Sequence, residues 1–307
     1  MMENVRAVDI IIPTYRPDKK VVELVRTLLS QSYPVGNIYI IDTKSGVFPQ
    51  ELYHLSENVH IKHIESKEFD HGGTRHLGAK LSNAEILVYM TQDAIPKDEF
   101  LIAYLLEAFQ EEDVAAAYAR QLPLEDCHLL EKITRDFNYP EQSRFKSKED
   151  LSTLGIKTYF CSNVCAAYRR SVYDELGGFE KKTIFNEDMI MAARMIQKGY
   201  RIYYAAKAQV LHSHNYSGIQ QFHRNFDLAV SQADHPEIFD DVPSEGEGLR
   251  LVKTTLLYLL RKKELTSIPE FIYKTGCKYL GYQLGKHYKQ LPKGIIMRCT
   301  MNPRYWQ

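Results

Sequence analysis

Val5-Arg6-Ala7-Val8-Asp9-Ile10-Ile11-Ile12-Pro13-Thr14-Tyr15 decides the fold. The β-branched run from Val5 to Ile12 is closed by Pro13 and reads as a first strand buried on both faces. Val21, Val22, Val25, Leu28 and Leu29 follow at helical spacing within 21–31, and Asn37 to Ile41 is a second apolar run ending at Asp42. Strand, helix, strand is a βαβ unit, and open sheets of that kind collect ligands beyond the carboxyl ends of their strands. Pro13-Thr14-Tyr15 and Asp42-Thr43-Lys44-Ser45 stand at that edge.

Working outward, the same logic predicts strands at 59–64, 86–90 and 114–118, and a helix over 73–82 after a Gly pair. A further helix opens at Pro96, with Phe100, Leu101, Tyr104, Leu105 and Ala108 as its apolar stripe. Periodicity fades from 122 to 157, which reads as a long functional loop. It returns as a strand-like run over 159–168, a short helix over 173–176 ended by Gly177-Gly178, and a helix over 188–197 stopped by Gly199. Short strands at 201–204 and 208–211, a helix over 219–230, an acidic loop over 234–247 and amphipathic helices over 249–260 and 269–288 complete the chain. The expected fold is α/β, a Rossmann-like, mostly parallel sheet flanked by helices.

Size and composition narrow the classes. A chain of 307 residues, 44% hydrophobic and 25% charged, buries a sizeable core and is not disordered. Its zero net charge hides an asymmetry: from Arg250 onward twelve Lys or Arg stand against two Asp or Glu. The acidic body argues against an extended nucleic-acid track. Five cysteines form no CxxC pair, which, with no signal-peptide pattern at the start, leads to the expectation of a reducing cytoplasm. No apolar run approaches the roughly 20 residues needed to span a bilayer.

Four places carry candidate chemistry. Asp93, in Thr91-Gln92-Asp93-Ala94, ends an apolar strand and suits a divalent cation on phosphates, or else caps the next helix. His212 and His214 lie two apart on an extended segment, so at most one is expected to face Asp93; the alternative is that both bond backbone. Glu187 and Asp188 open a helix, where a carboxylate serves as general base by proximity or simply as a cap. His71-Gly72-Gly73-Thr74-Arg75-His76 offers amides and a cation to a diphosphate, or is a turn with a surface arginine. Cys161 and Cys165 read as buried small hydrophobes. Neither GxGxxG nor GxxxxGK[ST] is present, against a nicotinamide or P-loop enzyme.

Taken in order, Ile10-Ile11-Ile12-Pro13-Thr14-Tyr15, Asp42-Thr43-Lys44-Ser45, Gly72-Gly73-Thr74-Arg75, Thr91-Gln92-Asp93-Ala94, Ser162-Asn163, Gly177-Gly178-Phe179, Asn186-Glu187-Asp188, Arg194 and Leu211-His212-Ser213-His214-Asn215-Tyr216 resemble a family 2 glycosyltransferase with the GT-A fold. The resemblance spans about 5–226. Thr-Gln-Asp-Ala in place of DxD, with the His-Ser-His-Asn-Tyr-Ser run, is similar to bacterial rhamnosyltransferases of surface polysaccharide synthesis that use dTDP-L-rhamnose, including streptococcal rhamnose-polymer enzymes.

The resemblance implies an inverting, metal-dependent transferase using Mn2+ or Mg2+. Thr14 and Asp42 would hold the nucleoside, with Pro13, Tyr15 and Gln92 also at the donor. Gly73 and Arg75 would meet the diphosphate. Asp93 would ligate the metal, with His212 as second ligand and His214 in reserve. Asp188 would be the general base, and Asn163 and Glu187 would lie at the acceptor or behind the base. Thr91 replaces the first Asp of DxD, which thins the metal shell, and His76 stands where many relatives have Asn.

The implied organisation is a GT-A catalytic domain over 1–230, with a nucleotide-sugar half over 1–120 and an acceptor half over 121–230. An acidic linker over 231–248 and a basic helical extension over 249–307 follow. The acceptor would be a lipid-linked glycan, placing the protein peripherally on the inner face of the plasma membrane through its basic helices. Alternatively those helices pack on the body or on a second subunit, so a homodimer is admitted. A UDP-linked hexose donor, a nucleotidyltransferase and a non-catalytic glycan-binding module are the competing readings.

Overall fold

The computed structural model describes residues 7–242 and 244–307. The first strand, β1, spans Val8–Tyr15, so Val5 and Arg6 fall outside the described residues and Pro13 lies inside the strand. Pairing of β1 with β4 (Ile86–Met90) stops at Ile11, beyond which a residue lacking an N–H costs no ladder bond on that side. Helix α1, Lys19–Leu29, is capped by Asp18 and buries Val21, Val22, Leu24, Val25 and Leu28. Then come β2, Ile38–Thr43, and β3, Val59–Ile64. Helix α2, His71–Leu81, takes the Gly pair into its first turn.

Pro96 belongs to a two-residue strand, β5 (Ile95–Pro96), and helix α3 starts later, at Leu101–Leu106. Strand β6, Val114–Leu122, runs on to the site. The expected loop after it instead holds α4 (Leu129–Asn138), β7 (Arg144–Lys146) and α5 (Leu151–Leu154). Then follow β8 (Cys165–Arg169), α6 (Arg170–Glu175) and α7 (Glu187–Gln197). The two short strands expected at 201–204 and 208–211 are one, β9, Arg201–Leu211. Its register against β6 jumps from Ala119↔Ala205 to Arg120↔Gln209, an irregularity that breaks the sequence periodicity.

The strands form one sheet in the order β3-β2-β1-β4-β8-β6-β9-β5, with β7 also on β9. β1, β2, β3, β4, β6 and β9 share a direction, whereas β5, β7 and β8 run against it. The expected mostly parallel α/β sheet is therefore present with a reversed strand near its middle. Cys161 and Cys165 are buried free thiols, as read from the sequence.

Helix α8, Gly218–Asp234, runs past position 230, and the expected acidic loop holds α9 (Pro236–Phe239) and the start of α10 (Glu245–Lys262). Helices α11 (Ile268–Lys286) and α12 (Lys293–Cys299) follow. α11 lies directly on α8: a Cβ added at Gly281 would sit 2.2 Å from the Phe222 carbonyl oxygen, and one at Gly285 2.2 Å from that of Phe226. Backbone cannot yield as a side-chain tip can, so Gly281→Leu is expected to cost about 3 kcal/mol or more by overpacking. A melting temperature equal to that of the parent would contradict this helix contact.

The last residues fold back over the segment that leads into α7. Asp227 of α8 accepts from Thr300 Oγ1 at 2.6 Å and from the Met301 N–H at 2.9 Å. Tyr305 Oη donates to the Lys182 carbonyl at 3.0 Å, and Ile184, Phe226, Val230, Ile296 and Cys299 share one apolar cluster.

Candidate active site

Three side chains converge where β4 and β9 end. His212 Nε2 lies 3.5 Å from Asp93 Oδ1 and His214 Nε2 3.4 Å from Asp93 Oδ2, with the two rings edge-on, their centroids 4.7 Å apart. Only one imidazole was expected here, because strand alternation separates residues i and i+2. β9 ends at Leu211, however, and alternation no longer applies.

A buried amide fixes the first imidazole. Gln121, near the end of β6, donates through Nε2 to Tyr139 Oη and to Ser162 Oγ. Its Oε1 accepts from Arg135 and from His212 Nδ1, the latter at 3.0 Å. The amide oxygen can only accept, so Nδ1 of His212 carries a proton, and Nε2 is the ring atom that faces Asp93. Burial and the neighbouring His212 lower the His214 pKa to about 4, so this ring is neutral near pH 7. Burial pushes Asp93 upward, but its contacts to His212, Thr91 and His214 outweigh that and hold it ionised. The three ligand atoms lie within 4.8 Å of one another and could hold a divalent metal.

The same frame reaches the second acid. Ser162, bonded to Gln121, precedes Asn163, whose N–H donates to Asp188 Oδ2 at 3.0 Å. Asp188 Oδ1 accepts the Met189 N–H at 2.8 Å. Asn163 Nδ2 donates to Glu187 Oε1 at 3.2 Å, and Tyr168 Oη donates to Asn163 Oδ1 at 2.9 Å, fixing the amide's orientation. Asp188 is half-buried at the start of α7, after Asn186 in the left-handed region at φ 63°. Burial and the adjacent Glu187 raise its pKa despite two N–H donors, where the helix start alone was expected to depress it. Glu187 is buried, yet Arg75, His71 and the Asn163 amide hold its pKa down.

Arg75 is a correction. It was expected at the diphosphate, but its Nη1 lies 3.1 Å from Glu187 Oε1, both side chains under a tenth exposed, and it donates to the His71 carbonyl. The Gly pair is also committed internally. Asp70 caps the helix by accepting from the Gly73 N–H, and a Cβ at Gly72 would sit 1.8 Å from the Glu180 carbonyl oxygen. Close packing, not phosphate approach, explains these glycines. Removing Arg75 strands the Glu187 charge, so Arg75→Met is expected to destabilise by about 3–5 kcal/mol. Chemical denaturation with an unchanged midpoint would contradict that role.

At the donor edge, Thr14 Oγ1 donates to Asp42 Oδ1 at 2.9 Å across paired strand ends. The other oxygen of Asp42 meets His63 Nδ1 at 2.8 Å, and Tyr53 Oη lies 2.7 Å from His63 Nε2. Asp42 is thus buried and bonded on both oxygens. Gln92 clasps the backbone of Tyr15 twice, N–H to Oε1 at 2.9 Å and Nε2 to carbonyl at 3.1 Å, tying the Asp93 turn to the end of β1 beside Pro13. The Tyr15 ring is left exposed.

Three residues escaped the sequence reading. Gln121 and His63 act only through partners far away in the chain. Arg224 sits on α8 just beyond the His212–His214 turn. It lies over the Phe185 ring at 4.6 Å and the Tyr216 ring at 5.8 Å, with no carboxylate partner among the described residues. Its charge is felt at both His71 and His214. A cation ten residues past a His-x-His element was the available signal.

The glycosyl transferase family 2 pattern matches residues 9–177. The chain is 42% identical over 301 residues to the O-antigen chain rhamnosyltransferase RfbN of Salmonella typhimurium, covering 97% of this chain and 96% of that protein. It is 41% identical over 300 residues to the O-antigen chain rhamnosyltransferase WbaN of Salmonella anatum, covering 97% and 95%. Among solved structures, the mannosyltransferase PcManGT from Pyrobaculum calidifontis in complex with GDP-Man and Mn2+ superposes with a TM-score of 0.62 at 14% identity, covering 93% of this chain and 88% of that one. S. aureus TarS 1-349 in complex with UDP-GlcNAc gives 0.52 at 15% identity, covering 92% of each. Those two likenesses concern the fold alone. With a family pattern over more than half its length and relatives above 40% identity from end to end, the chain belongs to glycosyl transferase family 2.

Proposed function

We propose that this transferase moves L-rhamnose from dTDP-L-rhamnose to a hydroxyl of a lipid-linked or polysaccharide acceptor, by single displacement with inversion. The observation that supports it is the hydrogen-bonded chain through Gln121, Ser162 and Asn163, which links His212, the neighbour of Asp93 and His214, to Asp188. The near-full-length relatives, both O-antigen rhamnosyltransferases, support the sugar and the polymeric acceptor.

Asp93, His212 and His214 would hold the metal, and two imidazoles beside one carboxylate suit Mn2+ better than Mg2+. When bound, such a cation neutralises charge on the donor's diphosphate. Arg224, with no carboxylate partner among the described residues, supplies a second positive charge on the same side. Asp188 accepts the proton of the attacking hydroxyl as the sugar–oxygen bond to the diphosphate breaks, and its raised pKa suits that task. Burial and the charge of Glu187 raise that pKa, and the pair of Glu187 with Arg75 holds the start of α7. No covalent sugar–enzyme bond is needed.

Arg224→Gln is expected to lower kcat/KM for the donor by about tenfold to a hundredfold, as loss of a charge stabiliser should; an unchanged value would remove it from the site. The function itself is tested by a panel of dTDP- and UDP-linked sugars, with and without Mn2+, offered with a lipid-linked glycan and scored for nucleoside diphosphate release. Preference for dTDP-L-rhamnose is expected. Turnover of a UDP-hexose in its place would overturn the donor, and sugar binding without release would indicate a glycan-binding module.

A further inference from the structure

Exposed apolar side chains are concentrated at one end of the chain. Of the twenty large hydrophobics that are exposed among the described residues, twelve lie between Leu249 and Met301. They follow the period of the helices that carry them. On α11 the body-facing side holds Phe271, Gly281 and Gly285, and the opposite side presents Ile272, Tyr279 and Leu280 at 63%, 62% and 57% exposure. On α10, Thr255 and Leu259 face inward while Leu256 and Leu260 face out, and Leu265, 56% exposed, caps the turn between the helices. An isolated exposed leucine needs no explanation, but two adjoining helices with apolar outer stripes do.

The charges on this hairpin indicate what covers it. Lys253, Arg261, Lys262 and Lys263 are exposed and have no carboxylate partner among the described residues. A two-fold interface with a second copy would set such unpaired cations against each other, whereas an anionic lipid surface pairs them while taking up the apolar stripes. Among the described residues no helix is long and apolar enough to cross a membrane, so contact would lie in the interfacial plane. The hairpin also borders the active site. Its Leu259 and Phe271 pack on Ile133 of α4, which follows the loop tied to Ser213 and Asn215. Tyr273 abuts Gly218, where a Cβ would come within 2.3 Å of its ring.

We propose that the outer face of the α10–α11 hairpin docks the enzyme on an anionic bilayer, beside the mouth of the site. The purpose rests on the reading of a lipid-linked acceptor; the surface itself rests on exposure and charge. Docking there would bring the acceptor's headgroup to Asp188 without drawing the lipid from the membrane.

The test uses the full chain, a Leu256→Glu/Ile272→Glu/Leu280→Glu variant and a Lys253→Gln/Arg261→Gln/Lys262→Gln/Lys263→Gln variant, all checked for parental melting temperature and donor turnover with a water-soluble acceptor. Each is sedimented with vesicles of phosphatidylglycerol in phosphatidylcholine, and with phosphatidylcholine alone. The parent is expected to bind the anionic vesicles and to release at high salt, with both variants at least about tenfold weaker. Equal partitioning of parent and variants would overturn the proposal. So would a parent that light scattering finds dimeric and an apolar-face variant that it finds monomeric, since the face would then be a subunit interface. If no form turns over donor, the transferase reading fails while the vesicle result still judges the surface.

Discussion

Asp188→Asn is expected to lower kcat by about 10²- to 10⁴-fold while leaving the donor's dissociation constant unchanged. The substitution keeps shape and removes the proton acceptor. Because an amide oxygen satisfies only one of the two N–H donors of Asn163 and Met189, the melting temperature must be followed alongside. The wild-type pH profile gives an independent readout. The carboxylate is inactive when protonated, and burial together with Glu187 raises its pKa. The acidic limb of kcat/KM should therefore lie above the ordinary carboxylate range near about 4, with activity rising as pH passes through the shifted value. A limb at ordinary carboxylate pH would mean that the acid responsible is an exposed one.

Asp93→Ala is expected to abolish metal-dependent donor binding, and His212→Ala to weaken it by about two orders of magnitude. The two differ because Asp93 faces both imidazoles and is the only carboxylate in the cluster. Calorimetric titration of dTDP with and without Mn2+ reads this directly. Identical curves for Asp93→Ala and parent would remove the cluster from metal binding.

Much of this site was legible in the sequence because its residues stand where periodic patterns stop. The strands at Val59–Ile64 and Ile86–Met90 were bounded by residue pattern alone, which fixed Asp93 one turn beyond a buried platform. Asp188 was found the same way, at the start of an apolar-striped helix. What the sequence concealed depends on burial and on distant partners. Arg75 looks like a phosphate ligand until its pairing with Glu187 is seen, 112 positions along the chain. Both histidines reach Asp93 because β9 stops at Leu211, where its end was expected, whereas the residues just beyond it were read as still extended and alternating. Helix α4 was lost because only Ile133 on it is fully buried, its remaining apolar contacts being shared with the distant hairpin.

The measurement that bears most directly on the central claim is the rate of dTDP release from dTDP-L-rhamnose, with a lipid-linked acceptor, as Mn2+ is titrated into metal-stripped protein. The account requires release that starts near zero, saturates with Mn2+ and is lost in both Asp93→Ala and Asp188→Asn. Full release in the presence of chelator, or undiminished release from a folded Asp188→Asn protein, would contradict it.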